Sequence, residues 1–157
     1  YQSPNINLQI IFEDARQVIG DLKKNKFDAV FHDPYSPSKN SELWTVDYFK
    51  KINEIISPEG ILTTYSSAAQ VRMALLEAGF KIGKGPAFGK KREGTIASRN
   101  VIDNALTEDE IKDLYNNIKA TPYRDEHLNL SRDVIVKERS DEMKKKRTKP
   151  GHPIPQE

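Results

Sequence analysis

The chain contains no cysteine among its 157 residues and only three histidines, His32, His127 and His152. The absence of cysteine excludes disulfide bonds, thiolate metal ligands and a cysteine nucleophile. Three histidines scattered along the sequence do not form the close spacing typical of a histidine metal site. We therefore expect no metal centre.

Long apolar runs are also absent, and no segment approaches membrane-spanning length or resembles a secretory signal peptide. Hydrophobic residues make up 36% of the chain and charged residues 31%, which is enough for one polar domain with a modest core. This composition indicates a cytoplasmic protein with no membrane association.

Positive charge is unevenly distributed, although the formal net charge is only +2. Such basic clusters can bind phosphate backbones. For the second cluster, near the carboxyl terminus, a solvated and disordered tail is the alternative that we favour. The two clusters are Lys81, Lys84, Lys90, Lys91 and Arg92, and Lys144, Lys145, Lys146, Arg147 and Lys149.

Strand-like and helix-like patterns alternate over the first eighty residues. We predict strands at residues 8–12, 27–32 and 61–65. Helices are predicted to begin after Asp14, near Thr45, and after a cap at Ser66 or Ser67. This alternation predicts parallel strands joined by crossover helices.

The alternation ends after residue 80. Residues 80–84 and 94–98 are both strand-like, and no helix fits between them, so we predict an antiparallel hairpin. A mostly parallel sheet with an antiparallel terminal hairpin is the pattern of class I methyltransferases. Beyond residue 98 we predict a helical extension, with a capping box from Thr107 to Glu110 and a last helix from about Ser131 to Lys146.

One polar loop follows the predicted strand at residues 27–32. The apolar residues 29–31 of that strand indicate that it is buried, and Pro34 ends sheet pairing directly after Asp33. Open α/β folds bind ligands at the carboxyl ends of their parallel strands. The loop therefore brings a carboxylate and the aromatic ring of Tyr35 to the expected position of an active site.

Five segments of the sequence resemble the methyltransferase that completes 5-methylaminomethyl-2-thiouridine at the tRNA wobble position. That family carries an aspartate followed by an aromatic residue, a Pro-small-Lys-Asn segment and a tryptophan shortly after. The segments are 28–44 (DAVFHDPYSPSKNSELW), 61–68 (ILTTYSSA), 71–72 (VR), 76–80 (LEAGF) and 89–93 (GKKRE).

The resemblance implies a Rossmann-like α/β fold, S-adenosylmethionine as cofactor and tRNA as partner. Nothing in the chain resembles the oxidase to which some bacterial members are fused, so the form without the oxidase is implied. Two elements that this class uses for the cofactor are not found: the glycine-rich loop after the first strand and the acid after the second. Gly20 and the pair Gly83 and Gly85 stand in the wrong context. We expect those elements upstream of Tyr1, so that the chain is the carboxyl-terminal part of the enzyme, with its amino-terminal strands missing, and is inactive alone.

Cofactor-binding and catalytic roles fall on three residues by this resemblance. Asp14 and Ala15 match the segment that contacts the adenine ring, although Asp14 can equally be a simple helix N-cap. Asp33 matches the catalytic position, where a carboxylate can hold and orient the substrate amine, take up a proton and offset the positive charge of the sulfonium.

RNA contacts are implied for residues of three loops. Tyr35 can stack on a base or pack beneath its own loop, and Lys39 and Asn40 match the family's loop near the anticodon. Tyr65 ends a neighbouring strand on the same rim. Lys90, Lys91 and Arg92 lie in the hairpin loop, where they can contact phosphates.

The expected function is thus N-methylation of the aminomethyl group of a modified wobble uridine. The alternatives are a non-catalytic RNA-binding fragment and an amino-methyltransferase of the adenine or glutamine type, whose Asp-Pro-Pro-Tyr signature resembles residues 33–35 but has a second proline. We predict a methyltransferase portion at residues 1–98, a helical extension at 99–146 and a flexible basic tail at 147–157. Further expected partners are the missing amino-terminal half or a second copy bound at an open sheet edge.

Overall fold

The computed structural model describes residues 2–87 and 93–147. Helices and strands alternate from residue 15 to residue 87, as expected, and among the described residues after 98 there are helices and no strand. Short 3-10 turns cover Ile19–Asp21, Ser41–Trp44 and Ile118–Ala120. The strands are β1 (Gln2–Ser3), β2 (Ile6–Asn7), β3 (Phe27–Phe31), β4 (Ile56–Thr64), β5 (Lys81–Ala87) and β6 (Glu93–Ser98), and the helices are α1 (Ala15–Val18), α2 (Val46–Ile55), α3 (Ala69–Glu77), α4 (Glu108–Asn116) and α5 (Arg132–Arg147).

The main sheet has four strands in the order β3-β4-β6-β5. β3 and β4 are parallel, with Val30 opposite Leu62, whereas β6 is antiparallel to both of its neighbours. The predicted terminal hairpin is therefore confirmed. Its second strand, β6, lies between β4 and β5, so the last strand in the sequence is an internal strand of the sheet.

Residues 57–60, which include Pro58 and Gly60, lie within β4. Phe27 pairs with Ile56 and Ala29 with Ile61, so the four intervening residues of β4 bulge out of register. Gly60 is required in this bulge, because an added Cβ would lie 2.8 Å from the carbonyl oxygen of Phe27. The bulge lets the chain pass from α2 into β4 without a separate loop.

The predicted strand at residues 8–12 is wrong. These residues form no strand, and the nearby hairpin of β1 and β2 ends at Asn7. Ile10 and Phe12 are 66% and 91% exposed. A strand needs a neighbour that accepts its backbone hydrogen bonds and covers one face, and no described strand pairs with this segment.

The expectation that residues 29–31 form a buried strand is also wrong. β3 lies at the edge of the described sheet, where it pairs with β4 alone. Most of its side chains are exposed, including that of Phe31 at 80%, while Val30 is half-buried. An apolar composition favours burial only where a second element covers the strand.

One hydrophobic core joins the sheet, its helices and the extension after residue 98. α2 contributes Phe49 and Ile52, and α5 contributes Ile135, all at most 2% exposed. The extension is also bound through its backbone, since Val46 N–H donates to Tyr123 O at 3.0 Å. None of the helices in residues 2–87 and 93–147 is long and apolar enough to cross a membrane.

Sequence capping rules account for most helix ends. Thr45 caps α2 by accepting from Tyr48 N–H at 3.1 Å, and the predicted capping box at the start of α4 is present. Gly79 ends α3 with a φ of +88°, which favours glycine. The cap of α3 is displaced: the N-cap is Ala68, whose N–H donates to the Ser66 hydroxyl at 3.3 Å.

Candidate active site

The loop from residue 33 to residue 44 is anchored by Trp44. This side chain is fully buried, and its indole Nε1–H donates to the carbonyl oxygen of Tyr35 at 2.8 Å. The His32 ring packs edge-on against the indole at 4.7 Å between centroids. Trp44 therefore fixes the path of the loop.

His32 serves this packing and not proton transfer. Its ring is buried among aromatic rings, and burial lowers its pKa from 6.5 to about 4, against a smaller opposing effect of a hydrogen bond with the Leu43 backbone. The imidazole is therefore neutral near pH 7.

Several predicted site residues line one open depression of about 560 Å³. The carboxyl ends of β3 and β4 are neighbours because these strands are parallel, and the loops that follow them meet there. Ser36 and Leu43, which the sequence did not indicate, complete the lining. The lining residues are Asp33, Pro34, Tyr35, Ser36, Asn40, Leu43 and Tyr65.

Tyr65 connects the two strand ends. Its hydroxyl donates to the carbonyl oxygen of Pro34 at 3.2 Å, and its ring meets Trp44 edge-on at 5.9 Å. Burial, followed by the negative charge of Asp33, raises the pKa of the Tyr65 hydroxyl. The hydroxyl thus stays protonated as a donor, and Asp33 is held close to it at the rim.

Asp14 begins α1 and is bound by Arg16. The Asp14 carboxylate accepts from the backbone N–H of Arg16 at 2.9 Å and from its guanidinium Nη2 at 2.8 Å, with Nε shared between both oxygens. The Arg16 side chain lowers the pKa of Asp14. Arg16 thus makes four hydrogen bonds to the carboxylate, two to each oxygen, while 36% of the Asp14 side chain remains exposed to a further group.

The other predicted site residues lie outside the depression. Asp14 and the half-buried Ala15 stand at the start of α1 and do not line it. Lys39 is exposed on the loop, where its N–H donates to Ser36 O at 2.8 Å. The predicted phosphate-binding residues Lys90, Lys91 and Arg92 lie outside the described residues.

Two arginines hold the elements around the site in place, and the sequence did not indicate this role for either. Arg16 binds the fully buried Asp125 at 3.1 Å. Arg72 holds β6 near the depression by donating to Thr95 Oγ1 at 3.2 Å and to Gly94 O at 3.3 Å. Arg72 belongs to a segment of the family resemblance, whereas Asp125 is 109 residues from Arg16 and no local pattern connects them.

Strand order and site position define the class of the protein: a Rossmann-like methyltransferase fold with an acid at a strand end. The crystal structure of MnmC2 from Aquifex aeolicus matches it with a TM-score of 0.83 and 38% identity, over 92% of this chain and 48% of that chain. A family model described as S-adenosyl-L-methionine-dependent methyltransferase matches residues 1–100. The chain belongs to that family.

Curated relatives agree with this assignment. The tRNA 5-methylaminomethyl-2-thiouridine biosynthesis bifunctional protein MnmC of Ralstonia nicotianae is 36% identical over 98 residues, which are 62% of this chain and 15% of that protein. An uncharacterised protein of Methanocaldococcus jannaschii is 35% identical over 151 residues, or 95% of this chain and 42% of that protein. The chain thus spans less than half the length of the relatives that it matches.

The residues present fit one part of S-adenosylmethionine. The partly exposed carboxylate of Asp14 suits an amino group, and Asp33 suits a cation at the rim of the depression. A glycine cradle for the rest of the cofactor is not found in residues 2–87 and 93–147: Gly60, Gly83 and Gly94 are each occupied by close contacts with a neighbouring backbone. The chain therefore offers residues for the adenine and for the reacting end.

Proposed function

We propose that this chain contributes to N-methylation of the aminomethyl group of a modified wobble uridine in tRNA. The observation that carries the proposal is the position of Asp33, at the carboxyl end of β3 in a depression shared with Tyr35 and Tyr65. The name of the Ralstonia relative supplies the substrate class. A cytoplasmic location belongs to the same proposal, because tRNA is its substrate.

Asp33 acts on the substrate amine. An alkylammonium with a pKa near that of lysine, about 10.4, has no lone pair for attack at neutral pH. The exposed carboxylate of Asp33 holds this group, orients its nitrogen and takes up one of its protons, which frees the lone pair that attacks the methyl group. S-adenosylmethionine, when bound, supplies a methyl group on a positively charged sulfur, and Asp33 also offsets that charge.

The loop around Asp33 receives the nucleotide. The Tyr35 ring is 79% exposed and is available to stack on a base, while its carbonyl oxygen is fixed by Trp44. Asn40 lines the same depression and offers an amide, and the exposed Lys39 is available to a phosphate. Lys90, Lys91 and Arg92 are proposed as further phosphate contacts, which would make RNA affinity fall steeply with salt.

Adenine recognition is assigned to the start of α1. The ionised Asp14 carboxylate accepts from the exocyclic amine, and backbone groups of Ala15 contact the ring edge. N-capping and adenine contact are compatible, because the Asp14 side chain remains 36% exposed beside its bonds to Arg16. We further propose that residues 1–98 carry the methyltransferase portion and that residues 99–146 brace it; of the predicted tail at 147–157, Arg147 ends α5 and the rest lies outside the described residues.

Substitution of Asp33 tests the catalytic assignment in the full-length protein, together with any sequence that precedes Tyr1. Asp33→Ala should reduce methylation of undermethylated tRNA by about 100- to 10,000-fold, the contribution typical of a positioned acid or base. Affinity for S-adenosylhomocysteine should change little. The assay is transfer of a radioactive methyl group at saturating cofactor and tRNA.

Asp28→Ala is the matched control. Asp28 lies on the same strand, where it accepts from the Ser57 hydroxyl at 2.8 Å, and it does not line the depression. It should retain methylation within a few-fold. Equal activity of the two variants would reject the role of Asp33.

A non-catalytic RNA-binding role is the second candidate. Its support is the sequence itself, which lacks a glycine-rich cofactor loop in its 157 residues. Calorimetric titration with S-adenosylmethionine separates the two functions. Binding of tRNA by the full-length protein without binding of the cofactor would favour this second role.

A further inference from the structure

A buried carboxylate in the helical extension is connected to the start of α1. Asp125 is fully buried, and its Oδ1 accepts from the backbone N–H groups of Asn129 at 3.0 Å and Leu130 at 3.2 Å. Its Oδ2 accepts from Arg16 Nη1 at 3.1 Å. The backbone N–H of Asp125 in turn donates to Asp47 Oδ2 at 2.9 Å. The extension thus presents a fixed charge to α1.

Arg16 links this charge to Asp14. Its Nη1 is held by Asp125 and by the carbonyl oxygen of Leu130 at 2.8 Å, while Nε and Nη2 hold the Asp14 carboxylate. Only 15% of the Arg16 side chain is exposed. A guanidinium group is planar and rigid, so fixing one edge fixes the direction of the other.

We propose that Asp125, acting through Arg16, is a positioning residue that orients the Asp14 carboxylate toward the adenine amine of the cofactor. This inference rests on the proposed adenine contact of Asp14. It gives the extension a role in cofactor selection, whereas the family model covers residues 1–100 only. The Aquifex structure, by contrast, matches 92% of the chain and therefore includes most of the extension.

Asp125→Asn is the decisive variant. The asparagine oxygen can still accept from Asn129 and Leu130, so the loop of the extension keeps its own hydrogen bonds. The amide NH₂ would face the Nη1 donor of Arg16, and two donors repel each other. The change therefore removes the charged bond from Asp125 to Arg16 and leaves the bond from Arg16 to the Leu130 carbonyl oxygen in place.

The measurement compares two ligands in the full-length protein. S-adenosylhomocysteine carries the adenine amine, and S-inosylhomocysteine carries a carbonyl oxygen at the same position. An oriented Asp14 carboxylate favours the first ligand and disfavours the second. The ratio of the two dissociation constants should fall by about tenfold in Asp125→Asn, a loss typical of an outer-shell partner that orients a binding group. Asp14→Ala should lose the whole preference for S-adenosylhomocysteine over S-inosylhomocysteine.

Arg139→Ala is the control for general destabilisation. Arg139 holds the extension together by donating to Thr121 O at 2.6 Å and Lys119 O at 2.8 Å, and it does not contact Arg16. This variant should lower the melting temperature and leave the ligand ratio unchanged. A merely structural role of Asp125 predicts the same behaviour for Asp125→Asn, and that result would overturn the inference.

Arg16→Lys gives a second, independent test if Asp125→Asn does not fold. Lysine keeps the positive charge, but a single ammonium cannot span Asp14 and Asp125 as the guanidinium fork does. The ligand ratio should fall as in Asp125→Asn, and an unchanged ratio would contradict the inference. If the wild-type protein and Asp14→Ala have the same ligand ratio, the adenine contact of Asp14 itself is wrong. That result is a distinct failure, which concerns the proposed function.

Discussion

The His32 side chain lies between the rings of Trp44 and Phe49, whose centroids are 4.7 and 5.2 Å from its own. Because His32 directly precedes Asp33, the packing of the His32 ring also positions Asp33. The His32 ring packs edge-on against both aromatic neighbours and so fixes the end of the strand. The same burial makes its protonation costly.

Acid should weaken folding through His32. Its pKa is about 4 in the folded chain against 6.5 normally, so the unfolded chain binds the extra proton first as the pH falls. Stability from this residue is complete above pH 6.5 and decreases between pH 6.5 and 4, by about 3 kcal/mol at the lower limit. Urea unfolding at pH 7 and pH 4 measures the loss.

His32→Phe removes the titrating group and keeps an aromatic ring in the cluster. Its free energy of unfolding should fall less over the same pH interval, because only the carboxylates then contribute. Identical pH dependence in both proteins would show that the His32 ring is not buried in the neutral form.

At the scale of the elements, β6 is held by contacts on both sides of its first residues. The Thr95 hydroxyl donates to Ser66 O at 2.7 Å and accepts from Arg72. A Cβ on Gly94 would overlap the carbonyl oxygen of Thr64, at the end of β4. The close approach of the two strands therefore depends on a glycine.

Gly94→Ala should destabilise the fold by about 1–3 kcal/mol, the usual cost of forcing an extra methyl group into a packed site. Thermal or urea unfolding measures the effect. Gly20→Ala is its matched control, since no atom lies within 4 Å of the added Cβ there, and it should be neutral or slightly stabilising. Equal stability of the two variants would mean that β4 and β6 are not closely packed at this point.

Local sequence patterns predict those helices and caps that depend on residues a few positions apart. The helical periodicity of α2 and the capping box of α4 were readable because each depends on residues within a few positions. The exposed segment at residues 8–12 was misassigned because strand formation depends on a partner far away in sequence. Asp33, Tyr35 and Tyr65 could be placed together from the rule that parallel strands end at one edge, whereas the link from Arg16 to Asp125 follows no such rule.

At the scale of the whole molecule, two large aromatic side chains are strongly exposed. Phe31 on the edge strand is 80% exposed, and Phe12 on the segment before α1 is 91% exposed. An unpaired sheet edge with exposed aromatic residues is a surface for association. The sequence predicts that a further part of the enzyme or a second copy of the chain binds at this edge.

The 157-residue chain by itself should therefore self-associate. Sedimentation velocity should show species that grow with concentration, and Phe31→Lys should shift them toward the monomer, because a charge on an edge strand opposes pairing. Val101→Lys is the control: Val101 is 81% exposed but lies beyond β6. A monomer at all concentrations would show that the edge does not associate.

The internal position of β6 also sets an order for folding during synthesis. β5 is made before β6, yet among the described strands β6 is its neighbour in the sheet. β3 and β4 can pair early, but the described four-stranded sheet cannot be completed until residue 98 has been made. The edge of β4 that faces β6 therefore stays open until the last of these four strands is in place, and an open edge in a partly folded chain favours misassembly.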